Sequence, residues 1–304
     1  MILVFANDAG GAEVVAAYVK KKLKQDEFRA YIGGPAIKVF RRMGIPARSI
    51  PDEKEAIARI IARHKHEARL TLSAAPGWMS HREWHGLMES KKQGIKTALY
   101  FDSWQNYREC LGYPKEGWKK NIPDEIWVGD KYGLALAKKY FSTVRFIPNQ
   151  YYKNVTEKFH ALKKTRAEAS AALFVSSPLA GVEEALRLFL STALSSDTQI
   201  DKLIIRFHPS DDRRKFDAII RPYRSRMRIE KSTHKDVVDD LSRSKVVFGV
   251  ETVAMVLAVL CGIRTLCFVA KGHKTTIPFK KIIHIPLNNS ATKRLVAELK
   301  KVRS

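Results

Sequence analysis

Short, nearly unbroken apolar runs recur along the chain, each followed by a stretch in which apolar residues return every three or four positions. The first predicts a strand over Ile2–Ala6, then the turn Asn7-Asp8-Ala9-Gly10-Gly11, then a helix with Val14, Val15, Tyr18, Val19 and Leu23 on one side. The pattern returns. Arg29–Ile32 reads as a strand ahead of Gly33-Gly34-Pro35, and Ala36–Met43 as a short amphipathic helix. Further strands are expected at Arg69–Ser73, Ile95–Phe101 and Glu125–Val128, the last followed by a helix over Lys131–Tyr140. Strands alternating with helices imply a parallel sheet covered on both faces.

The polar, basic segment between Tyr152 and Ala169 reads as a linker, partly helical. Beyond it the scheme repeats without repeating the sequence. Strands are expected at Ala172–Val175, Lys202–Phe207, Met227–Glu230, Val246–Gly249 and Thr265–Val269. Helices fall over Val182–Leu194, Lys235–Arg243 and Thr252–Cys261, with a last one from Ser290. The pattern therefore predicts an α/β chain of two Rossmann-like domains, 1–155 and 156–304, with parallel sheets facing across a cleft. A length of 304 residues suits two such domains.

Composition adds one feature. Hydrophobic residues make up 45% of a chain with only 16 Gly and 12 Pro, which excludes a disordered or low-complexity protein. Yet 55 Lys and Arg face 31 Asp and Glu, a net charge of +24. The excess is spread over both halves: residues 1–150 carry 26 basic and 16 acidic side chains, residues 151–304 carry 29 and 15. Such a field draws nucleic acid, anionic membrane or phosphorylated small molecules alike. Cys110, Cys261 and Cys267 have no CxxC spacing, so reduced thiols are expected rather than a disulfide framework or a zinc ribbon. The amino terminus lacks the basic region of a signal peptide, and the most apolar stretch, Val246–Ala270, is broken by Glu251 and Arg264.

The candidate chemistry sits at strand ends. In open α/β sheets ligands bind beyond the carboxyl ends of strands, and a helix amino terminus favours anions. Asp8, Gly10 and Gly11 occupy such a turn after the first strand, where the alternative role for Asp8 is that of a helix cap. In the second half, Arg206-Phe207-His208-Pro209-Ser210 ends a strand with an imidazole able to hydrogen-bond a phosphate. Gly249-Val250-Glu251-Thr252 ends another and opens a helix, a second anion site. Two such sites suit one nucleotide.

With these residues in place the chain resembles GT-B glycosyltransferases. The His-Pro pair followed by a Ser/Thr-bearing strand-to-helix turn is similar to bacterial CMP-sialyltransferases and related CMP-linked nonulosonate or Kdo transferases. The resemblance implies that His208 and Pro209 contact the CMP phosphate, that His208 assists departure of CMP, and that Thr252 holds the same phosphate. Glu251 would hold the ribose hydroxyls, and Ser176, Ser177 and Ser210 complete the expected donor site. That family takes its base from an Asp/Glu-Asp/Glu-Gly motif in the amino-terminal half, which this sequence lacks. Asp8 is the first candidate for the base and Asp102 the second. The implied activity is inverting transfer of a sugar, an acidic one from a CMP donor, onto a glycan, glycolipid or glycoprotein acceptor in bacterial surface polysaccharide synthesis. It requires no metal and no cofactor beyond the nucleotide sugar.

Tyr100–Tyr107, with Phe101, Trp104 and Asn106, reads either as a sugar-recognition surface or as a buried connection; Gly10, Gly11, Trp104 and Asn106 are taken as the acceptor site. Trp78, His81, Trp84 and His85 form a similar patch, but His-Arg-Glu-Trp-His is not a zinc motif. The scattered lysine pairs suggest an anionic membrane surface, and a cytoplasmic protein peripheral to the inner face of the membrane. Two enzymatic alternatives stand beside the CMP reading: a transferase using a UDP- or GDP-sugar or a CDP-polyol, and a UDP-sugar 2-epimerase. Nucleic-acid binding is favoured by charge alone, without a recognisable motif.

Overall fold

The computed structural model describes residues 1–77, 80–163, 171–195, 200–208, 211–234 and 236–303. The chain divides into two compact units, Met1–Asn154 and Val155–Ser304. The first contains strands β1 (Ile2–Ala6), β2 (Phe28–Ile32), β3 (Arg48–Ser49), β4 (Leu70–Ala74), β5 (Thr97–Phe101), β6 (Glu125–Val128) and β7 (Val144–Phe146). Between them run helices α1 (Ala9–Lys22), α2 (Ala36–Met43), α3 (Lys54–His64), α4 (Arg82–Lys92) and α5 (Lys131–Ala137). The sheet order is β3-β2-β1-β4-β5-β6-β7, and every pair is parallel.

A parallel sheet buried on both faces needs strands apolar throughout rather than on alternate positions. β1 reads Ile-Leu-Val-Phe-Ala, and all five residues are buried. One face packs on Val14, Val15 and Val19 of α1, the other on Ile57 and Ile61 of α3. The order reverses between β1 and β4, and this reversal opens the sheet's carboxyl edge for a ligand.

Helix α6 (Gln150–Lys163) leads into the second unit. As far as Lys163 the expected linker is helical, with Tyr152, Val155 and Phe159 buried at helical spacing. The second unit holds β8 (Ala171–Val175), β9 (Lys202–Arg206), β10 (Arg228–Lys231), β11 (Ser244–Gly249), β12 (Arg264–Val269) and β13 (Ile283–Pro286). Its helices are α7 (Val182–Ser195), α8 (Arg213–Ile220), α9 (Val237–Leu241), α10 (Val253–Leu260) and α11 (Ala291–Lys300). The order β10-β9-β8-β11-β12-β13 is again all parallel, with its reversal between β8 and β11. Phe174, Phe189, Phe248 and Phe268 fill this core; Phe189 and Phe248 stack with centroids 3.6 Å apart.

Each unit is thus a Rossmann-like domain. Among the described residues no helix is long and apolar enough to cross a membrane.

Candidate active site

In the first domain three carboxyl side chains surround the amino terminus of α1. Asp8 is the N-cap residue of that helix, yet its side chain makes no capping hydrogen bond. Its Oδ1 instead accepts from Asn7 Nδ2 at 3.0 Å. The carboxylate rests against Gly77, in the loop after β4, so closely that a Cβ there would lie 1.6 Å from Asp8 Oδ2. Asp102, just beyond β5, approaches Gly10 in the same way: a Cβ at Gly10 would be 2.4 Å from Asp102 Oδ2. Only glycine leaves room for these two carboxylates beside the backbone.

The third is Glu83, on the first turn of α4 and fully buried. Its Oε1 accepts the Asn7 backbone N–H at 2.5 Å, and among the described residues its Oε2 has no partner. Burial pushes its carboxyl up to about 7, the Asp8 charge adds to the rise, and the Arg82 guanidinium only partly offsets it. Asp102 responds to the same forces: burial raises it to about 6, and the Asp8 charge contributes. Arg82, also buried, donates to Asn7 Oδ1 at 2.6 Å and to the Ile50 carbonyl at 2.9 Å. It locks the turn that carries Asp8. The arrangement offers a carboxylate at a helix amino terminus beside carboxyls that hold protons near neutrality, which is the equipment of acid–base chemistry.

Of the two readings of Tyr100–Tyr107, the rings take the buried one. Tyr100, Phe101, Trp104 and Tyr107 are all buried, and Phe101 stacks on Tyr107 with centroids 4.1 Å apart. The Trp104 indole N–H donates to the Asp130 carboxylate at 3.0 and 3.2 Å, while Asp130 also caps α5 through the Tyr132 and Gly133 amides. Rings this apolar gain more by packing than by lining an open groove. Asn106 stays exposed, in the left-handed region with φ 57°. Gly10 is exposed and Gly11 buried against Ala74. His81 and His85 lie with ring centroids 6.0 Å apart, and among the described residues no third ligand joins them as a metal group.

In the second domain the reversal between β8 and β11 gathers the expected donor residues. Gly249, at the end of β11, approaches β8 so closely that a Cβ there would sit 2.2 Å from the Val175 carbonyl oxygen. Ser176 and Ser177 follow β8, 4% and 3% exposed, and among the described residues neither hydroxyl has a hydrogen-bond partner. Thr252 caps α10, its hydroxyl accepting from the Ala254 amide at 3.4 Å. Glu251 adopts φ 23°, and its two oxygens accept from the Thr276 amide at 2.7 Å and the Thr276 hydroxyl at 3.1 Å. The backbone N–H of His208 donates to Asp211 Oδ2 at 2.7 Å, and the Asp211 amide returns a bond to the His208 carbonyl at 3.0 Å. These two bonds hold His208 just past β9. Pro209, Ser210 and Trp78 lie outside the described residues.

No family model matches the chain, and no curated protein matches it. Solved structures do. A protein described as a UDP-N-acetylglucosamine 2-epimerase from Listeria monocytogenes superposes with a TM-score of 0.73 at 13% identity, covering 99% of this chain and 87% of its own. The UDP-GlcNAc 2-epimerase of Neisseria meningitidis bound to UDP-GlcNAc gives 0.70 at 11% identity, over 99% and 90%. Anabaena HepE in complex with UDP-glucose gives 0.65 at 11% identity, over 100% and 89%. These likenesses establish the fold: two parallel-sheet Rossmann-like domains of the GT-B type. The expectation of a CMP donor draws no support from them, since all three carry UDP in their names or as bound ligand.

Proposed function

We propose that this chain is an enzyme acting on a UDP-linked sugar, the second domain holding the nucleotide and the first supplying the acid–base groups and the acceptor site. Two strand edges, each taken within its own domain, carry the reading. One bears the buried Ser176 and Ser177 hydroxyls, unpartnered among the described residues, on the sheet edge that also carries the α10 amino terminus; the other bears Asp8 and Asp102 beside α1. The UDP-linked substrates of the structures with the same fold support the choice of nucleotide over CMP.

In the transfer reading, an acceptor hydroxyl oxygen forms a bond to the anomeric carbon while the bond from that carbon to the phosphate oxygen breaks. The proton passes to the Asp8 carboxylate, and UDP leaves with the electron pair. The Ser176 and Ser177 hydroxyls and the α10 amides stabilise the charge that develops on the leaving phosphate. His208 is assigned to the same phosphate. A glycan or lipid-linked acceptor suits this scheme, with products destined for surface polysaccharide.

A second reading, epimerisation at C2 of the sugar, is favoured by one specific feature. Asp102, raised to about 6, places a second carboxyl near Asp8, and inversion at a carbon needs one group to remove a proton and another to return it. The two readings separate in one experiment. The protein is incubated with UDP-glucose and with UDP-GlcNAc, and products are followed by proton NMR. Transfer predicts UDP release that rises with added hydroxyl acceptor; epimerisation predicts a new UDP-sugar with no acceptor present. Inertness towards both sugars, with no binding of UDP, would overturn the proposal.

A further inference from the structure

We propose that the face of the first domain built by Arg108, Tyr113, Trp118 and Tyr140, with the lysine pairs around it, docks on an anionic lipid bilayer. The inference stands on this surface alone and does not depend on the reaction proposed above.

The topology concentrates positive charge at one edge. In strand–helix–strand units helices end at the amino edge of a parallel sheet, and one cation in the last turn is enough to complement a helix dipole. Here α1 ends in Lys20, Lys21 and Lys22, α2 in Arg41 and Arg42, α3 in Arg63 and His64, and α4 in Lys91 and Lys92. Lys138 and Lys139 follow α5 directly. Of these, Arg42 pairs with Glu13, Lys92 with Glu89, and Lys20 donates to the Met43 carbonyl; the rest leave the edge positively charged.

On the β5–β6 side this charge meets exposed aromatic rings. The Arg108 guanidinium carbon lies 4.0 Å from the Tyr113 ring centroid and 4.7 Å from that of Tyr140. Trp118 meets Tyr113 edge-on with centroids 5.6 Å apart. Tyr113 and Tyr140 are 37% and 38% exposed, two of the few large apolar side chains left outside. Lys119 and Lys120 follow Trp118, and Lys91 Nζ donates to the Lys120 carbonyl at 3.0 Å, which draws the end of α4 into the patch. Among the described residues Lys119, Lys120, Lys138 and Lys139 are exposed and have no acidic partner. The acids of the patch are Glu109, paired with Arg108 at 3.8 Å, Glu89, paired with Lys92, and Glu116.

Two anionic surfaces could answer such a patch, and the ring geometry chooses. Single-stranded nucleic acid binds basic surfaces by stacking bases on open aromatic faces. Here Arg108 already covers a face of both Tyr113 and Tyr140. The other edge of the contact is taken by Trp118 against Tyr113, and the two phenol rings stand beside lysines, the combination that sits at headgroup level in a bilayer interface.

The test is co-sedimentation of the full chain with vesicles of phosphatidylcholine alone and of phosphatidylcholine mixed with phosphatidylglycerol. Wild type should bind only the anionic vesicles. Reversal of four charges, Lys119→Glu, Lys120→Glu, Lys138→Glu and Lys139→Glu together, should weaken that binding about a hundredfold or more. Tyr140→Ser should weaken it several-fold with an unchanged melting temperature. The control reverses four exposed lysines of the second domain, Lys271, Lys274, Lys280 and Lys281, and should bind nearly as wild type. An equal loss in the control, equal binding to both vesicles, or tighter binding to a single-stranded oligonucleotide that the patch variant abolishes, would each overturn the proposal.

Discussion

Replacing Asp8 by Asn should lower turnover of a UDP-sugar roughly 10²–10⁴-fold, with UDP binding nearly unchanged. The size of the effect follows from what the side chain does and does not do in the fold. It caps no amide of α1, so its replacement removes no capping hydrogen bond. Its contact with Asn7 Nδ2 uses an oxygen that Asn retains. What is lost is the ability to take a proton from a hydroxyl. Asp102→Asn provides the comparison, measured as kcat and KM from UDP release. In the transfer reading it costs much less than Asp8→Asn; in the epimerase reading the two losses are similar. A fully active Asp8→Asn variant beside an inactive Asp102→Asn variant would move the base from the first turn to the second.

Glu83→Gln should change the pH dependence of stability by about 3 kcal/mol. The ordinary value for this carboxyl is 4.5, and burial raises it to about 7 in the folded protein. Between those values the folded state holds a proton that the unfolded state has released. Stability from this group is therefore fully present below 4.5, declines as pH rises through the window, and is lost above 7. Gln keeps an oxygen for the Asn7 amide and never ionises. The difference between wild type and variant in urea midpoints at about pH 5 and about pH 8 isolates this residue, because the half-buried histidines His64, His85 and His284 titrate in both proteins. The variant should be the more stable of the two at the higher pH. Parallel curves over the whole window would mean that Glu83 ionises freely.

Glu83 also marks the limit of what the sequence discloses. Strands β1, β5 and β8 were legible because a doubly covered strand must be apolar along its length, and the turn at Asp8 because glycines follow a strand there. Helix α4 was not, since its buried face carries Arg82, Glu83, Glu89 and Ser90, and the usual periodicity of apolar residues is missing. The polar face that hid the helix is the one that supports the Asp8 turn. Helix α6 left a weak signal in the spacing of Tyr152, Val155 and Phe159, masked by the basic residues between them. Strands β3 and β7 are short and largely exposed, so no apolar run announces them. The aromatic segment after β5 could be read two ways because hydrophobic rings serve a core and a sugar site equally. The carboxylate of Asp130, 26 residues away from Trp104, accepts the indole N–H and is invisible to local sequence pattern.

Ser176 and Ser177 were candidates on sequence, but their burial, with hydroxyls unpaired among the described residues, is seen only in the fold. They give the account its most direct test, by isothermal titration calorimetry of UDP and of CMP against wild type and the Ser176→Ala, Ser177→Ala double variant. The account predicts that UDP binds more tightly than CMP, and that the variant binds UDP at least about tenfold more weakly while melting no lower than wild type. Tighter binding of CMP, or UDP affinity untouched by loss of both hydroxyls, would contradict it.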